Sequence, residues 1–333
     1  MVGQANAAHR VALSWLKRIG IEPESAPPSV VAGIALVPPV IAGLILFRFV
    51  ALEMLLIALA AGLLAHLAAR LLGQPLEGTP LLPALVGVAM VGSGAALAWA
   101  AAVAIAAAGF ELARSRFVPA ARLQVGLLAY ALVLIVSRGG PAVYVTPAGT
   151  PMAEPIRLWL QLFGESQPAF DPVRLYVGNV AGPIFATSML AVAVGAAWLW
   201  YSRRLSLLIV VTFLAGAMVP IVVLRWPGGY QLDSGPLWFA VALVLADRQT
   251  LPASPVGRPL LGFLAGMLAL GVRTRGLAIE ASLVTVAAVQ LLTVILQGAL
   301  WVRRNGDETR ARLREIRAAT LALGRMRPAQ PPS

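Results

Sequence analysis

Cysteine is absent from the 333 residues, histidine occurs only at His9 and His66, and Lys17 is the only lysine. Without thiols there is no disulfide and no iron–sulfur cluster held by thiolates. Two histidines argue against a bis-imidazole haem, so any redox cofactor is organic. Charge is scarce as well: charged residues make up 12% and hydrophobic ones 59%. The mean hydropathy is +0.83, far from the mix of a soluble domain. Also missing are a phosphate-cradling P-loop, a Rossmann fingerprint, a metal-ligand cluster and a Ser/His/Asp set. With no NAD site and no thiolates, the chain alone is not a catalyst that takes electrons from NADH. The net charge of +12 is almost all arginine, which on a membrane protein points to topology signals and anionic lipid rather than nucleic acid.

What is present is long apolar runs. Breaks at charges, prolines and glycines place spans at about Val30–Phe47, Phe49–Ala69, Leu81–Ala96, Leu97–Leu112, Leu123–Val136, Pro183–Tyr201, Leu205–Leu224, Leu237–Leu245, Pro259–Val272 and Leu277–Trp301. The expected fold is therefore an all-α polytopic bundle of about ten spans, with nine as the alternative count. A broken pair is expected around Gly92–Gly94, because Leu81–Ala113 is long for one helix and short for two. The chain divides into a polar cytoplasmic segment (1–29) with no apolar signal-like core, a transmembrane domain (30–302) and a basic cytoplasmic tail (303–333). The one long loop, 137–178, would lie outside and carries Tyr144, Trp159, Phe163, Phe170 and Tyr176.

Arginine placement sets the orientation. With both termini in the cytoplasm, 19 of the 26 basic residues fall inside, and Arg48, Arg138, Arg157, Arg174, Arg225, Arg273 and Arg275 fall outside. The segment Glu77–Leu82 (EGTPLL) is echoed by Asp233–Trp238 (DSGPLW), each ahead of an apolar run, the third and the eighth. That spacing suits a five-plus-five inverted repeat.

Acids near apolar runs are costly and mark candidate sites. Asp247 ends an apolar run beside Arg248, three prolines and Arg258, and reads either as part of a ligand or ion path or as a helix-end acid paired locally. Glu53 lies one turn into the second span and must be protonated, paired or facing a cavity. His66 reads as interfacial. Glu111 is expected to pair with Arg114 or Arg116, and Glu280 with Arg273 and Arg275. Gly262 and Gly266 suggest close helix packing.

Four blocks together resemble the family that contains the RnfD component of the Rnf electron-transport complex and the NqrB component of the sodium-translocating NADH:quinone reductase. They are Glu77–Met90, Arg116–Tyr130 with its Pro119-Ala120, Gly178–Ala196 with Thr187 and Ser188 at the family's Thr-Ser pair, and Phe239–Leu268. The last, an Ala-Asp followed by Thr, Ser-Pro and Gly-Arg, is the most specific. The resemblance implies a membrane subunit of a bacterial inner-membrane complex that passes electrons through flavin, with ion translocation coupled to it and other membrane subunits as partners. It implies FMN esterified to a threonine of the long loop, or riboflavin bound noncovalently. Thr150 is the position that matches, although the motif's Asp is missing and Pro147-Ala148-Gly149 stands where Ser-Gly-Ala is usual. Thr187, Ser188, Asp247 and Arg258 would line the flavin pocket or pathway. The departure in the loop supports an alternative, a flavin-free carrier or a membrane protein of secondary metabolism on the same fold.

Overall fold

The computed structural model describes residues 27–71, 73, 79–118, 121, 123–161, 171–248 and 257–304, and in it the apolar runs become helices and their polar breaks become turns. Helix α1 (Pro28–Leu71) has 44 residues, about 66 Å at 1.5 Å per residue and twice a ~30 Å hydrocarbon core. It is interrupted at Arg48, whose φ of 49° and ψ of −117° are not helical. The residue separating the first two expected spans is thus the point where two helices join.

Helix α2 (Leu81–Ala89) stops after nine residues, and the chain then passes through the expected break in a series of turns. There Gly92 N donates to Pro141 O at 2.7 Å and Gly94 N to Val143 O at 3.0 Å, while Ile184 N donates to Val91 O at 2.8 Å. A Cβ on Gly92 would collide with the Val143 carbonyl, so only glycine lets these backbones close up. Irregular backbone at this depth is tolerated because protein on both sides satisfies its polar groups. Helices α3 (Leu97–Phe117) and α4 (Val125–Val136) follow.

The long loop holds two short helices, α5 (Pro155–Gln161) and α6 (Pro172–Val177). Beyond it come α7 (Met189–Tyr201), α8 (Leu207–Val223), α9 (Gly228–Leu232) and α10 (Gly235–Trp238). Helix α10 runs into a π-helical stretch, Phe239–Leu245, whose seven residues are all buried. Helix α11 (Gly257–Gly271), a 3₁₀ turn (Val272–Arg275) and α12 (Ile279–Arg304) complete the described chain. Gly262 and Gly266 pack against α8, where added Cβ atoms would strike Thr212 and the Phe213 carbonyl. This is the close packing expected of them.

No named strand occurs among the described residues. Large apolar side chains face outward along the helices, among them Ile45, Leu63, Ile105, Ile135, Val211 and Leu260. A soluble protein does not expose apolar surface on that scale, and with the apolar helices it makes this a membrane protein. Pro28–Leu71, Leu97–Phe117 and Ile279–Ala299 are long and apolar enough to cross a bilayer, and the remaining apolar helices are shorter. The described residues up to 290 form one compact unit and those from 291 belong to another. Of the latter, the structure describes the end of α12, with exposed Leu292, Ile295 and Leu296. The expected N-terminal lead, the tail helix and Glu77 lie outside the described residues.

Candidate functional site

The densest concentration of buried charge lies beneath the long loop, where the loop meets the ends of α8 and α11 and the start of α12. Pro155 at the first position of α5 is preorganised for a helix start, and Glu154 before it supplies the cap. Its Oε2 accepts from Ile156 N and its Oε1 from Arg157 N, both at 2.8 Å. One turn of helix thus fixes a carboxylate and delivers Arg157 to Glu280 of α12, Nη2 to Oε1 at 2.7 Å. Tyr144 OH donates to the same Glu280 oxygen at 3.1 Å. The loop is clamped from the far side by Tyr230 OH, which donates to Pro155 O at 2.9 Å, and by an edge-on contact of Trp159 with Trp226 at 5.7 Å.

Arg273, fully buried in the 3₁₀ turn, donates through Nη1 to Gln231 Oε1 at 2.6 Å and to Gln231 O at 3.1 Å, and through Nη2 to Ser282 Oγ at 3.4 Å. Two carboxyls and two guanidiniums therefore share one region, buried except at the partly exposed Arg157. Several of its polar atoms have no partner among the described residues: Arg157 Nε, Arg273 Nε, Gln231 Nε2 and Glu280 Oε2. Each costs about 1–3 kcal/mol when buried alone.

Burial, reinforced by the neighbouring Glu280, pushes the Glu154 carboxyl up to about 7. Burial also raises Asp233. Arg273 is lowered by burial to about 10, partly offset by Glu154 and Glu280. Glu154 and Asp233 line the same cavity of about 20 Å³, together with Thr187, Tyr230 and Ser234. That volume holds a water. A carboxyl titrating near neutrality beside a second raised carboxyl, in a space of water size, is equipped to accept and release a proton.

The residues singled out from sequence separate into two groups. Thr187 is brought to this cavity, but its Oγ1 donates to Pro183 O, and Ser188 Oγ caps α7 by accepting from Ala191 N at 3.2 Å. Both hydroxyls are engaged by backbone. Thr150 lies apart, exposed at the base of a turn closed by Thr146 N donating to Thr150 O at 2.9 Å, its hydroxyl hydrogen-bonded to that of Thr146. Asp247 and Arg258 belong to the opposite helix ends, where Leu205 and Asp247 form a short antiparallel bridge and Ser206 N donates to Ala246 O at 2.9 Å. The five do not form one pocket.

The fit to a flavin divides the same way. The exposed Thr150 hydroxyl suits a phosphoester at the protein surface, whereas the cavity beside Thr187 is far below the roughly 300 Å³ or more of a ligand pocket and does not fit the ring system.

Glu111 pairs with Arg114 at 2.7 Å as expected. Glu280 does not form its ion pair with Arg273 or Arg275; Arg157 takes it, because the loop folds back over the start of α12. Sequence reasoning missed Glu154, Arg157 and Arg273 as a set, since the turn that holds the first two lies far in sequence from Arg273 and Glu280. The available signal was an acid followed by Pro in a long loop, the pattern of a helix start.

A model described as the NQR2, RnfD, RnfE family matches residues 29–298. No curated protein matches the chain.

Proposed function

Because the chain belongs to the NQR2, RnfD, RnfE family, we propose that it is a membrane subunit of an Rnf/Nqr-like electron-transport system, seated in a bacterial inner membrane beside other membrane subunits. Its ten apolar segments act as ten crossings in a five-plus-five inverted arrangement with both termini cytoplasmic, supported by the arginine bias and by the breaks at Gly92–Gly94 and before Gly235. The family match carries this reading. FMN or riboflavin, when bound, supplies one- and two-electron chemistry. Thr150 is the residue to hold an FMN phosphate, at the loop surface where partner subunits reach it.

The chain's own residues handle charge. Glu154 takes up a proton at the water-sized cavity, Asp233 shares that space, and the Arg157–Glu280 pair and Arg273 set the field around it. Such a group balances the charge that accompanies an electron moving through the membrane.

A second reading, a flavin-free membrane carrier on the same fold, is favoured by the loop's missing Asp and by the cavity's small size. Mass spectrometry of the intact chain and of the peptide 137–178 separates the two. An FMN-sized increment on Thr150, or riboflavin released on denaturation, supports the electron-transport reading; a folded chain free of flavin supports the carrier.

A further inference from the structure

At the helix ends opposite the loop, Trp200, Arg203, Leu205, Ser206, Leu207, Leu208, Arg248 and Arg258 enclose a cavity of about 380 Å³. It is larger than the cavity beneath the loop, and its lining holds three arginines, with Asp247 bridged to the lining Leu205. The turn from α7 to α8 sets its shape. Arg203 sits at a positive φ of 56°, which reverses the chain, and Arg204 N donates back to Leu199 O at 2.8 Å. Arg248 N is tied to Arg204 O at 2.9 Å, which draws the end of the π-helix alongside. Arg258 enters at the start of α11.

The N-terminus of α8 therefore opens beside three guanidiniums, an arrangement that favours an anion. Ser206 begins α8 without its side chain capping the helix. The residue is 7% exposed, and its Oγ has no hydrogen-bond partner among the described residues. Ser206 thus belongs to the lining of a cavity rich in arginine.

The rim indicates the kind of anion. Trp200, Leu207 and Leu208 are 59%, 51% and 49% exposed, and the outward stripe continues along α8 through Val211, Met218 and Val222. A soluble phosphate has no use for an apolar stripe running down a helix, whereas an acyl chain does. The level also suits a headgroup, since an outward tryptophan at a helix end is typical of the membrane interface.

We propose that this cavity binds the phosphodiester headgroup of an anionic phospholipid, with Arg203, Arg248 and Arg258 around the phosphate, Ser206 Oγ donating to it, and an acyl chain lying along α8. The site is independent of flavin and of electron transfer, so it stands or falls separately from the proposed function.

The test is lipid retention by native mass spectrometry of the purified full chain, using dioleoyl phosphatidylglycerol against dioleoyl phosphatidylcholine. Phosphatidylglycerol is expected to be retained preferentially, and Arg203→Gln, Arg248→Gln and Arg258→Gln each to lower retention about fivefold. Equal retention of the two lipids, or unchanged retention in all three variants, overturns the proposal. A second measurement does not depend on how the arginine variants fold. In nanodiscs, brominated phosphatidylglycerol should quench tryptophan emission more than brominated phosphatidylcholine, and Trp200→Phe should abolish the difference. If the difference is absent from the wild type, or survives in Trp200→Phe, the lipid does not lie at this cavity. Stabilisation by inorganic phosphate that phosphatidylglycerol cannot displace assigns the cavity to a soluble phosphate and overturns the lipid assignment.

Discussion

Glu154 shows how one side chain acquires two functions from its surroundings. As the residue before α5 it accepts two backbone N–H groups, which favours its ionised form, yet burial outweighs them and holds the carboxyl at about 7. The folded protein therefore binds this proton more tightly than the unfolded chain does, where the ordinary value is 4.5. The resulting contribution to stability is full below about pH 4.5 and is lost as pH rises through about 7. Thermal denaturation in detergent should show a melting temperature that falls between pH 5 and 8. Glu154→Gln should flatten that slope, and an unchanged slope would remove Glu154 as the titrating group. The Arg157–Glu280 pair gives a second prediction. A double-mutant cycle with Arg157→Gln and Glu280→Gln should show a coupling of about 1–3 kcal/mol, because Glu280 is buried and Arg157 is its one ion-pair partner among the described residues. A coupling near zero would mean that water screens the pair.

At the scale of elements, the helix ends carry a recurring device. Arg138, Arg203 and Arg225 each follow an apolar helix and adopt φ of 53°, 56° and 54°. The next residue's N–H reaches back to Leu134, Leu199 and Ile221 respectively, closing the turn that glycine usually closes. Arginine here accepts backbone strain while placing a cation at the carboxyl end of the helix dipole. Arg138→Gly removes the strain and Arg138→Ala keeps it, so the glycine variant should be the more stable by about 1 kcal/mol, read as a higher melting temperature. Equal melting temperatures would show that the left-handed turn is not retained. Helix packing gives a sharper contrast. Gly266→Ala should destabilise the protein markedly, because its Cβ would meet the Phe213 carbonyl of α8, whereas Gly109→Ala, which meets nothing within 4 Å, should leave the melting temperature unchanged or raise it.

For the whole molecule, the positions of the apolar helices were legible because membrane helices announce themselves by hydropathy and their ends by Arg, Pro and Gly. Arg48 between two apolar runs is the clearest case: a charge that interrupts hydropathy also interrupts the helix. The broken segment at Gly92–Gly94 was legible for a similar reason, since three small or polar residues cannot continue a lipid-facing helix. The pairing of Glu280 was not legible. Its partner arrives from 123 positions away in sequence, and local spacing to Arg273 and Arg275 pointed elsewhere. Resemblance likewise grouped Thr187 with Asp247, but the alternation of helix direction sends them to opposite ends of the bundle. Local chemistry is written in local sequence, while the site is assembled from loop, helix end and turn that only the fold brings together.

The proposed electron transfer joins that assembly, a near-neutral carboxyl under a loop, to membership of the NQR2, RnfD, RnfE family. The most direct test is flavin content and reduced-minus-oxidised absorbance of the folded protein purified from its native membrane with its partner subunits attached. About one flavin per chain is expected, its visible absorbance bleaching on reduction, with the FMN increment on Thr150 if the link is covalent. A folded, partner-bound preparation with no flavin and no absorbance change on reduction would contradict it.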